Sequence, residues 1–457
     1  AYGGFMNILI VGCGRVGNTL VRSLAREEHD VTVVDEDREV IRSITDSCDV
    51  MGFCGNGANG ETLLAAGADK ADLAIAVTRS DELNMLTCFL CKKLGAKRTV
   101  ARVRGDYYFA KGFDFVKASI EADRVINPEL LCAESAYNIL RLPSAIKMET
   151  FAADKLEVAE FIVPDDSPAA GVTLAELKKN RGSNFLICAL GRGGETIIPK
   201  GSDAPRAGDR ICVVSGVSEM GKVIKTLGLV KRTMHSVTIV GASQTALYLA
   251  RMLSAARFSV KIVEKDPEKA QETCAKLKGV TVVCGDGLDL EMMKEERLGE
   301  TDALVTFTGR DEENILLDMY ARGLGVKKVV SELSRDGLLP MAEKLGLTSV
   351  VSPQRSVADV MISYARALES DSGAAVETLY SLMDGGVEAL QFAVEDGCPA
   401  AGKKLKDVDI ISGAILAGII RGDEVLIPSG DDVIIVGDKV IVVTKVAGLG
   451  SFDEVLR

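Results

Sequence analysis

The sequence predicts an α/β fold: two doubly wound parallel sheets, each followed by a small α+β domain. Three observations lead there. Aromatic residues make up only 5% of the chain, with no Trp, against 47% hydrophobic residues and 45 Gly. That is the usage of buried parallel strands flanked by helices. Short β-branched runs alternate with helical segments, and the chain matches itself at half its length. With 457 residues it has material for several cores rather than one.

The repeat is carried by landmarks in a fixed order. Asn7-Ile8-Leu9-Ile10-Val11-Gly12 matches Ser236-Val237-Thr238-Ile239-Val240-Gly241, and Val33-Val34-Asp35 matches Ile262-Val263-Glu264. Cys54-Gly55-Asn56-Gly57 matches Cys284-Gly285-Asp286-Gly287. Thr78 with Asp81-Glu82-Leu83-Asn84 matches Thr308 with Asp311-Glu312-Glu313-Asn314. The small domains repeat as well: Pro168-Ala169-Ala170-Gly171 against Pro399-Ala400-Ala401-Gly402, Ile198-Pro199 against Ile427-Pro428, and Gly208-Asp209-Arg210 against Gly437-Asp438-Lys439.

In the first large repeat, Ile8–Val11, Val31–Val34, Ala74–Val77 and Thr99–Arg102 read as strands, and Val16–Arg26 and Asn84–Leu94 as helices. Strands and helices in that alternation pair in parallel through right-handed crossovers. The first small repeat offers strands at Glu157–Val163, Phe185–Leu190 and Arg210–Val214 and a short amphipathic helix at Leu174–Lys179. Glu129–Leu142 and Arg355–Glu369, after Asn127-Pro128 and Ser352-Pro353, read as amphipathic connectors that pack on a partner's connector or within their own domain. The expected units are 6–128 and 234–353 for the large domains, 148–231 and 373–457 for the small ones, and 129–147 and 354–372 for the connectors. A hinge is expected at Pro143–Thr150, and Ala1–Phe5, ahead of Met6, are set aside.

Gly12-Cys13-Gly14-Arg15-Val16-Gly17 follows an apolar strand and opens a helix, and Asp35 closes the next strand. This is a Rossmann-type fingerprint in its proper context. Gly12 permits the tight turn, Gly14 lets the backbone approach a pyrophosphate, and Gly17 allows close helix packing. The helix N-terminus supplies amides and the positive dipole end. Asp35 can accept both hydroxyls of an adenosine ribose, while Glu36 and Asp37 repel a 2′-phosphate, which favours NAD(H) or another adenine nucleotide over NADP(H). The second copy, Gly241-Ala242-Ser243-Gln244-Thr245-Ala246, keeps the first glycine and loses the second. Glu264 still offers a ribose acceptor, so the second unit reads either as an altered site or as a purely structural copy.

Proton-transfer chemistry finds little support, and no catalytic residue is assigned. The chain has two His, His29 before the Asp35 strand and His235 before the second fingerprint strand, both read as surface loop residues. Tyr107-Tyr108 and Lys111 match no reductase spacing. Cys88-Phe89-Leu90-Cys91 lies inside a helical pattern without a second such pair, so buried thiols are expected there and no metal site. The eleven Cys read as reduced core thiols of a cytoplasmic protein.

A net charge of −12 opposes binding to nucleic acid or to anionic lipid. No apolar run approaches the roughly 20 residues that span a bilayer. The N-terminus shows no signal peptide. Any membrane link is therefore expected to run through a protein partner.

Taken together, Gly12-x-Gly14-Arg15-x-Gly17, Asp35, Gly55-Asn56-Gly57, Thr78-x-x-Asp81-Glu82-x-Asn84 and Ala101-Arg102, followed by a small domain with Gly-Asp before its closing strand, all duplicated, resemble the TrkA family. Those proteins are cytosolic regulators of bacterial Trk potassium uptake, built from domains also called regulators of potassium conductance (RCK) or KTN domains. The resemblance implies a nucleotide-binding regulatory, gating subunit rather than an enzyme. It implies NAD(H) or ATP/ADP in the first unit, with Gly12, Cys13, Gly14, Arg15, Val16, Gly17, Asp35, Asn56, Thr78 and Arg102 as its site. Arg15 and Arg102 would flank phosphates. In the second unit Gly241, Ser243, Gln244, Glu264 and Asp286 take the corresponding places, but Gln244 and Glu332 replace the two arginines. A homo-oligomeric ring, dimeric or tetrameric, docked on a membrane potassium transporter subunit is implied as well. The alternatives are an NAD-dependent oxidoreductase and, more remotely, a solute-binding module without nucleotide.

Overall fold

Among the described residues four sheets carry the architecture, and two of them copy the other two. The computed structural model describes residues 6–27, 29–105, 121–142, 144–152, 155–180, 184–229, 234–347, 349–369 and 376–457. The first large unit runs β1 (Asn7–Val11), α1 (Arg15–Arg26), β2 (Asp30–Asp35), α2 (Arg38–Ser47), β3 (Met51–Cys54), α3 (Gly60–Ala65), β4 (Leu73–Ala76), α4 (Asp81–Leu94), β5 (Arg98–Arg102) and β6 (Arg124–Ile126). Its strands pair in the order β3-β2-β1-β4-β5-β6, parallel throughout. The reversal of direction between β1 and β4 opens a crevice at the strands' carboxyl ends, where this topology takes ligands.

The first connector is α5 (Pro128–Arg141), after which come β7 (Lys147–Phe151), β8 (Leu156–Ile162), α6 (Leu174–Asn180), β9 (Phe185–Arg192), β10 (Glu195–Ile197), β11 (Arg210–Gly216) and α7 (Val217–Thr226). The second large unit repeats the first as β12 (Ser236–Val240), α8 (Gln244–Ala255), β13 (Ser259–Glu264), α9 (Pro267–Lys276), β14 (Val280–Cys284), α10 (Leu290–Glu295), β15 (Ala303–Thr306), α11 (Asp311–Gly323), β16 (Lys328–Glu332), α12 (Leu339–Lys344) and β17 (Val350–Val351), in the strand order β14-β13-β12-β15-β16-β17. The second connector is α13 (Pro353–Glu369), followed by β18 (Val376–Leu382), β19 (Val387–Ala393), β20 (Ala414–Arg421), β21 (Glu424–Leu426) and β22 (Lys439–Thr444). Both small sheets have the same antiparallel order, β7-β8-β11-β9-β10 and β18-β19-β22-β20-β21.

Local chemistry sets the helix starts. Asp37 Oδ1 accepts the amides of Glu39 and Val40 to cap α2, and Asp266 caps α9 in the same way. Asn127 Oδ1 accepts Leu130 N at 2.9 Å and Pro128 opens the first turn of α5.

The two connectors are exchanged between the halves. Cys132, Ala133, Ala136, Ile139 and Leu140 of α5 are buried with Val237, Ile239, Ala246, Leu249 and Leu253 of the second large unit. Val357, Ala358, Met361 and Ala365 of α13 are buried with Ile8, Ile10, Val16, Leu20 and Leu24 of the first. Each of these stripes is covered by the large unit of the other half rather than by the connector's own large unit; an apolar stripe requires a cover but does not say which surface provides it. The small sheets meet face to face, Leu156, Val158, Ala189 and Val214 packing with Val387, Ala389, Ala417 and Val443. That contact is close enough that a Cβ on Gly418 would lie 2.4 Å from Leu156 Cδ1.

Two further expectations change. Lys147–Thr150 belong to β7, so the expected hinge is partly strand, while Pro143 lies outside the described residues. Strand β3 was not anticipated, because its edge position leaves Met51 65% exposed and its sequence without a β-branched run.

Candidate functional site

The first fingerprint folds into a turn that only glycine can make at two of its places. Gly12 has φ +98°, and a Cβ there would lie 2.7 Å from the Thr78 amide nitrogen. A Cβ on Gly17 would lie 1.9 Å from the Gly12 carbonyl oxygen. Gly14 is different: a Cβ would meet nothing within 4 Å, and no side chain caps the helix it precedes. The first amides of α1 therefore face an open approach, as a pyrophosphate requires. Arg15 is exposed at the head of that helix, Val16 is buried in the core beneath it, and burial beside Asp35 pushes the Cys13 thiol up to about 12. Cys13 thus contributes packing and its amide, and no nucleophile.

Asp35 Oδ2 accepts the Cys13 amide at 2.6 Å and Oδ1 accepts the Asp37 amide at 2.9 Å. Each oxygen keeps a lone pair, so the carboxylate is held in place with capacity left for ribose hydroxyls. Asn56 Nδ2 donates to Glu36 Oε1 at 2.5 Å, and Asn56 Oδ1 accepts the Ala58 amide at 2.7 Å. Asn84, read in the sequence as a repeat landmark and part of the family motif but not as a site residue, ties the far wall together. Its Oδ1 accepts both the amide and the hydroxyl of Thr78 at 2.7 Å, and its Nδ2 donates to the Arg102 carbonyl at 3.0 Å. Recurrence as Asn314, which makes the same bonds to Thr308 and to the Glu332 carbonyl, was the signal that could have found it.

The second fingerprint is built on the same plan with its phosphate end altered. Gly241 keeps φ +94°, and Glu264 accepts the Ala242 amide at 2.7 Å and the Asp266 amide at 3.0 Å. Burial pushes the Glu264 carboxyl up, but those two amides and Lys269, 3.3 Å away, outweigh it and hold it below its ordinary value. Here Ser243 Oγ accepts the Ala246 amide at 3.2 Å, so the helix start left open at Gly14 is capped by the protein itself. Gln244 supplies no charge. Glu264, Asp286, Thr308, Lys265, Lys269 and Leu288 line a narrow cleft.

The two units meet at the phosphate end of the first. Arg102 is not free in the cleft: its Nη2 lies 2.6 Å from Glu129 Oε1, in the first turn of α5. Arg102 Nε and Glu129 Oε2 are both buried without a hydrogen-bond partner. Glu332 closes the group from the second unit at 9% exposure. Burial pushes its carboxyl up to about 7, Asp311 and Glu129 push the same way, and Arg15 opposes.

Other expected groups fall elsewhere. His29 is buried, 6% exposed, rather than on the surface as read, with the charges of Glu27 and Arg366 acting on it; His235 is exposed. Burial pushes the His29 imidazole down. Cys88 and Cys91 are buried on α4 with their thiols pushed up by burial. The reading of all eleven cysteines as core thiols is corrected: none is in a disulfide, but Cys54, Cys274 and Cys284 are exposed, because their strand ends and helix face lie at the edges of the large units. Tyr107, Tyr108 and Lys111 lie outside the described residues. Among the described residues no helix is long and apolar enough to cross a membrane.

Fold and cleft together define a class: tandem Rossmann-type proteins in which each large unit is followed by a small β-rich domain. The chain belongs to the TrkA family: the TrkA-N domain matches residues 8–128 and 237–353, and the TrkA-C domain matches 158–228 and 389–457. It is 31% identical over 453 residues to a Trk system potassium uptake protein TrkA homolog of Archaeoglobus fulgidus, covering 99% of this chain and 100% of that protein. It is 28% identical to Trk system potassium uptake protein TrkA of Vibrio alginolyticus, covering 95% of each. Among solved structures, the GsuK channel bound to NAD matches with a TM-score of 0.62 at 17% identity, covering 97% of this chain and 77% of that one. GsuK bound to ADP matches with a TM-score of 0.52 at 14% identity, covering 80% and 70%. At these identities the GsuK likeness speaks for the fold alone.

Proposed function

We propose that this chain is a nucleotide-binding regulatory subunit of a Trk-type potassium uptake system, controlling ion flux through a membrane partner. The first unit binds NAD(H) or ADP/ATP: ribose on Asp35, pyrophosphate over Gly14 and the head of α1, and Arg15 beside the phosphates. The carrying observation is the open, uncapped approach at Gly14 beside a carboxylate already fixed by two amides. The names of the TrkA relatives support the transport role.

The second unit serves as the structural copy. Ser243 already caps its helix, and Glu332 stands where a phosphate-neutralising Arg would. Calorimetric titration of ATP, ADP, NAD and NADH into the purified chain tests both statements. The expected stoichiometry is close to one nucleotide per chain, and the Gly14→Val variant should give no heat. Equal heats in that variant would remove the site from the first unit. Incubating bound NADH with small carbonyl compounds separates this function from an oxidoreductase, since a regulator leaves the NADH absorbance unchanged.

A further inference from the structure

Arg366, near the end of α13, is 2% exposed and holds two carboxylates from two different domains. Its Nε and Nη2 donate to Glu27 Oε2 and Oε1 at 2.7 and 2.8 Å. Its Nη1 and Nη2 donate to Glu388 Oε2 and Oε1 at 2.7 and 3.1 Å. Glu27 is the residue that ends α1, the helix whose other end is the fingerprint, and Glu388 sits in β19 of the second small sheet. One guanidinium thus joins the first large unit to the second small domain.

The internal repeat supplies a comparison within the same chain. Arg141 stands at the equivalent place on α5 and pairs with Glu157, the counterpart of Glu388 in β8. The third member is missing: Ala256 follows α8 where Glu27 follows α1. The Arg141 side chain is accordingly 37% exposed, against 2% for Arg366. Among the described residues this three-way tie is made at the end of α1 and not at the end of α8, which is joined to the first unit instead through Tyr248, donating to the Arg104 carbonyl and accepting Asn127 Nδ2.

Holding α13 in place does not require this. Apolar residues of similar volume stabilise a buried position as well as an ion pair does, or better. What forked charges add is direction: a buried guanidinium cannot be left without either carboxylate, so movement of one partner is resisted or followed by the other. α1 is an uninterrupted helix of 12 residues, stiff enough to carry a shift at its phosphate end to Glu27.

We infer that Arg366 is the positioning residue through which nucleotide occupancy of the first unit acts on the second small domain, by way of Glu27 and Glu388. This rests on the nucleotide reading of the first site. The test is hydrogen exchange of peptides covering β18 and β19 in the full chain, with and without ADP, alongside calorimetry on the same samples. In the wild type, ADP should change exchange there by about threefold or more, and Glu27→Gln, which spares Glu388, should remove most of that change while ADP still binds. By linkage, ADP affinity in the variant shifts by no more than the same factor. Arg366→Lys, which keeps the charge but not the fork, should behave like Glu27→Gln. A purely structural role would raise exchange equally with and without ADP. The inference is overturned if Glu27→Gln keeps the full ADP-dependent change, or if ADP-saturated wild type shows none. If ADP gives no heat, the nucleotide reading fails separately. The ligand-free comparison then decides: unaltered β19 exchange in Glu27→Gln overturns the link between α1 and the second small domain.

Discussion

Asp35 Oδ2 lies 2.6 Å from the amide nitrogen of Cys13, so the carboxylate proposed to take the ribose also braces the glycine turn that would hold the pyrophosphate. In the proposed pose one connected element would meet both halves of the nucleotide. Replacing Asp35 with Ala should weaken nucleotide binding by about 1–3 kcal/mol, since charged hydrogen bonds to the ribose are lost. It should also lower the melting temperature, because the Cys13 and Asp37 amides lose their acceptor. A calorimetric curve indistinguishable from wild type would place the ribose elsewhere.

Gly14 and Gly17 should separate cleanly by what they do. Gly14→Val adds a side chain into open space at a φ of −64°, so the melting temperature should hold while first-site binding disappears. Gly17→Ala must push its Cβ against the Gly12 carbonyl, an overpacking expected to cost about 1–3 kcal/mol. Chemical denaturation of the two variants checks this. A stable Gly17→Ala protein would mean that the turn yields more than its geometry allows.

Sequence reading reached the large units because their signals are local and doubled. β1 and β4 are apolar runs buried along nearly their whole length, and the fingerprint sits where strand gives way to helix. For the same reason it paired Asp35 with Glu264, which close equivalent strands and make matching bonds. It could not reach what depends on non-local docking. The stripe Cys132–Ala136–Ile139 shows that α5 needs a cover, and nothing in it names Leu249 and Leu253 as that cover. Nor could spacing reveal that Arg102 is held by Glu129, or that His29 is buried.

Glu332 makes the junction between the large units sensitive to pH. Its carboxyl titrates at about 7 in the folded chain against an ordinary 4.5, so the proton binds more tightly when the protein is folded. The stability this contributes is fully present below about 4.5 and is lost as pH rises through about 7. Between pH 6 and pH 8 the difference amounts to about 1 kcal/mol. Glu149 and Asp359, raised by burial to about 7 and about 6, act in the same direction. Glu332→Gln should therefore stabilise the protein at pH 8 and leave it little changed at pH 5.5, narrowing the gap in melting temperature between the two. An unaltered gap would show that Glu332 is already ionised and solvated.

The last prediction concerns how one nucleotide is told from another. A ligand shifts a conformational balance only by its differential affinity for the two states, so a regulator must feel what distinguishes ATP from ADP. That is the γ-phosphate, which in the proposed pose should reach beyond the Gly12–Gly17 turn toward Arg102 or a neighbouring subunit. Arg102 is committed to Glu129, and Arg102 Nε and Glu129 Oε2 are buried without hydrogen-bond partners. A phosphate drawing Arg102 away would strip Glu129 of its countercharge beside Glu332, which already carries a raised carboxyl. Glu129 lies in the first turn of α5, and α5 is packed on the second large unit, so the cost is felt at the contact between the halves. ATP and ADP should accordingly give different hydrogen-exchange patterns across Pro128–Arg141. Arg102→Ala should erase that difference more than it weakens binding, because Asp35 and the glycine turn still hold the adenosine and the first phosphates. Identical patterns at saturation with every nucleotide tried, NADH included, would leave the chain without a nucleotide-driven switch at this helix.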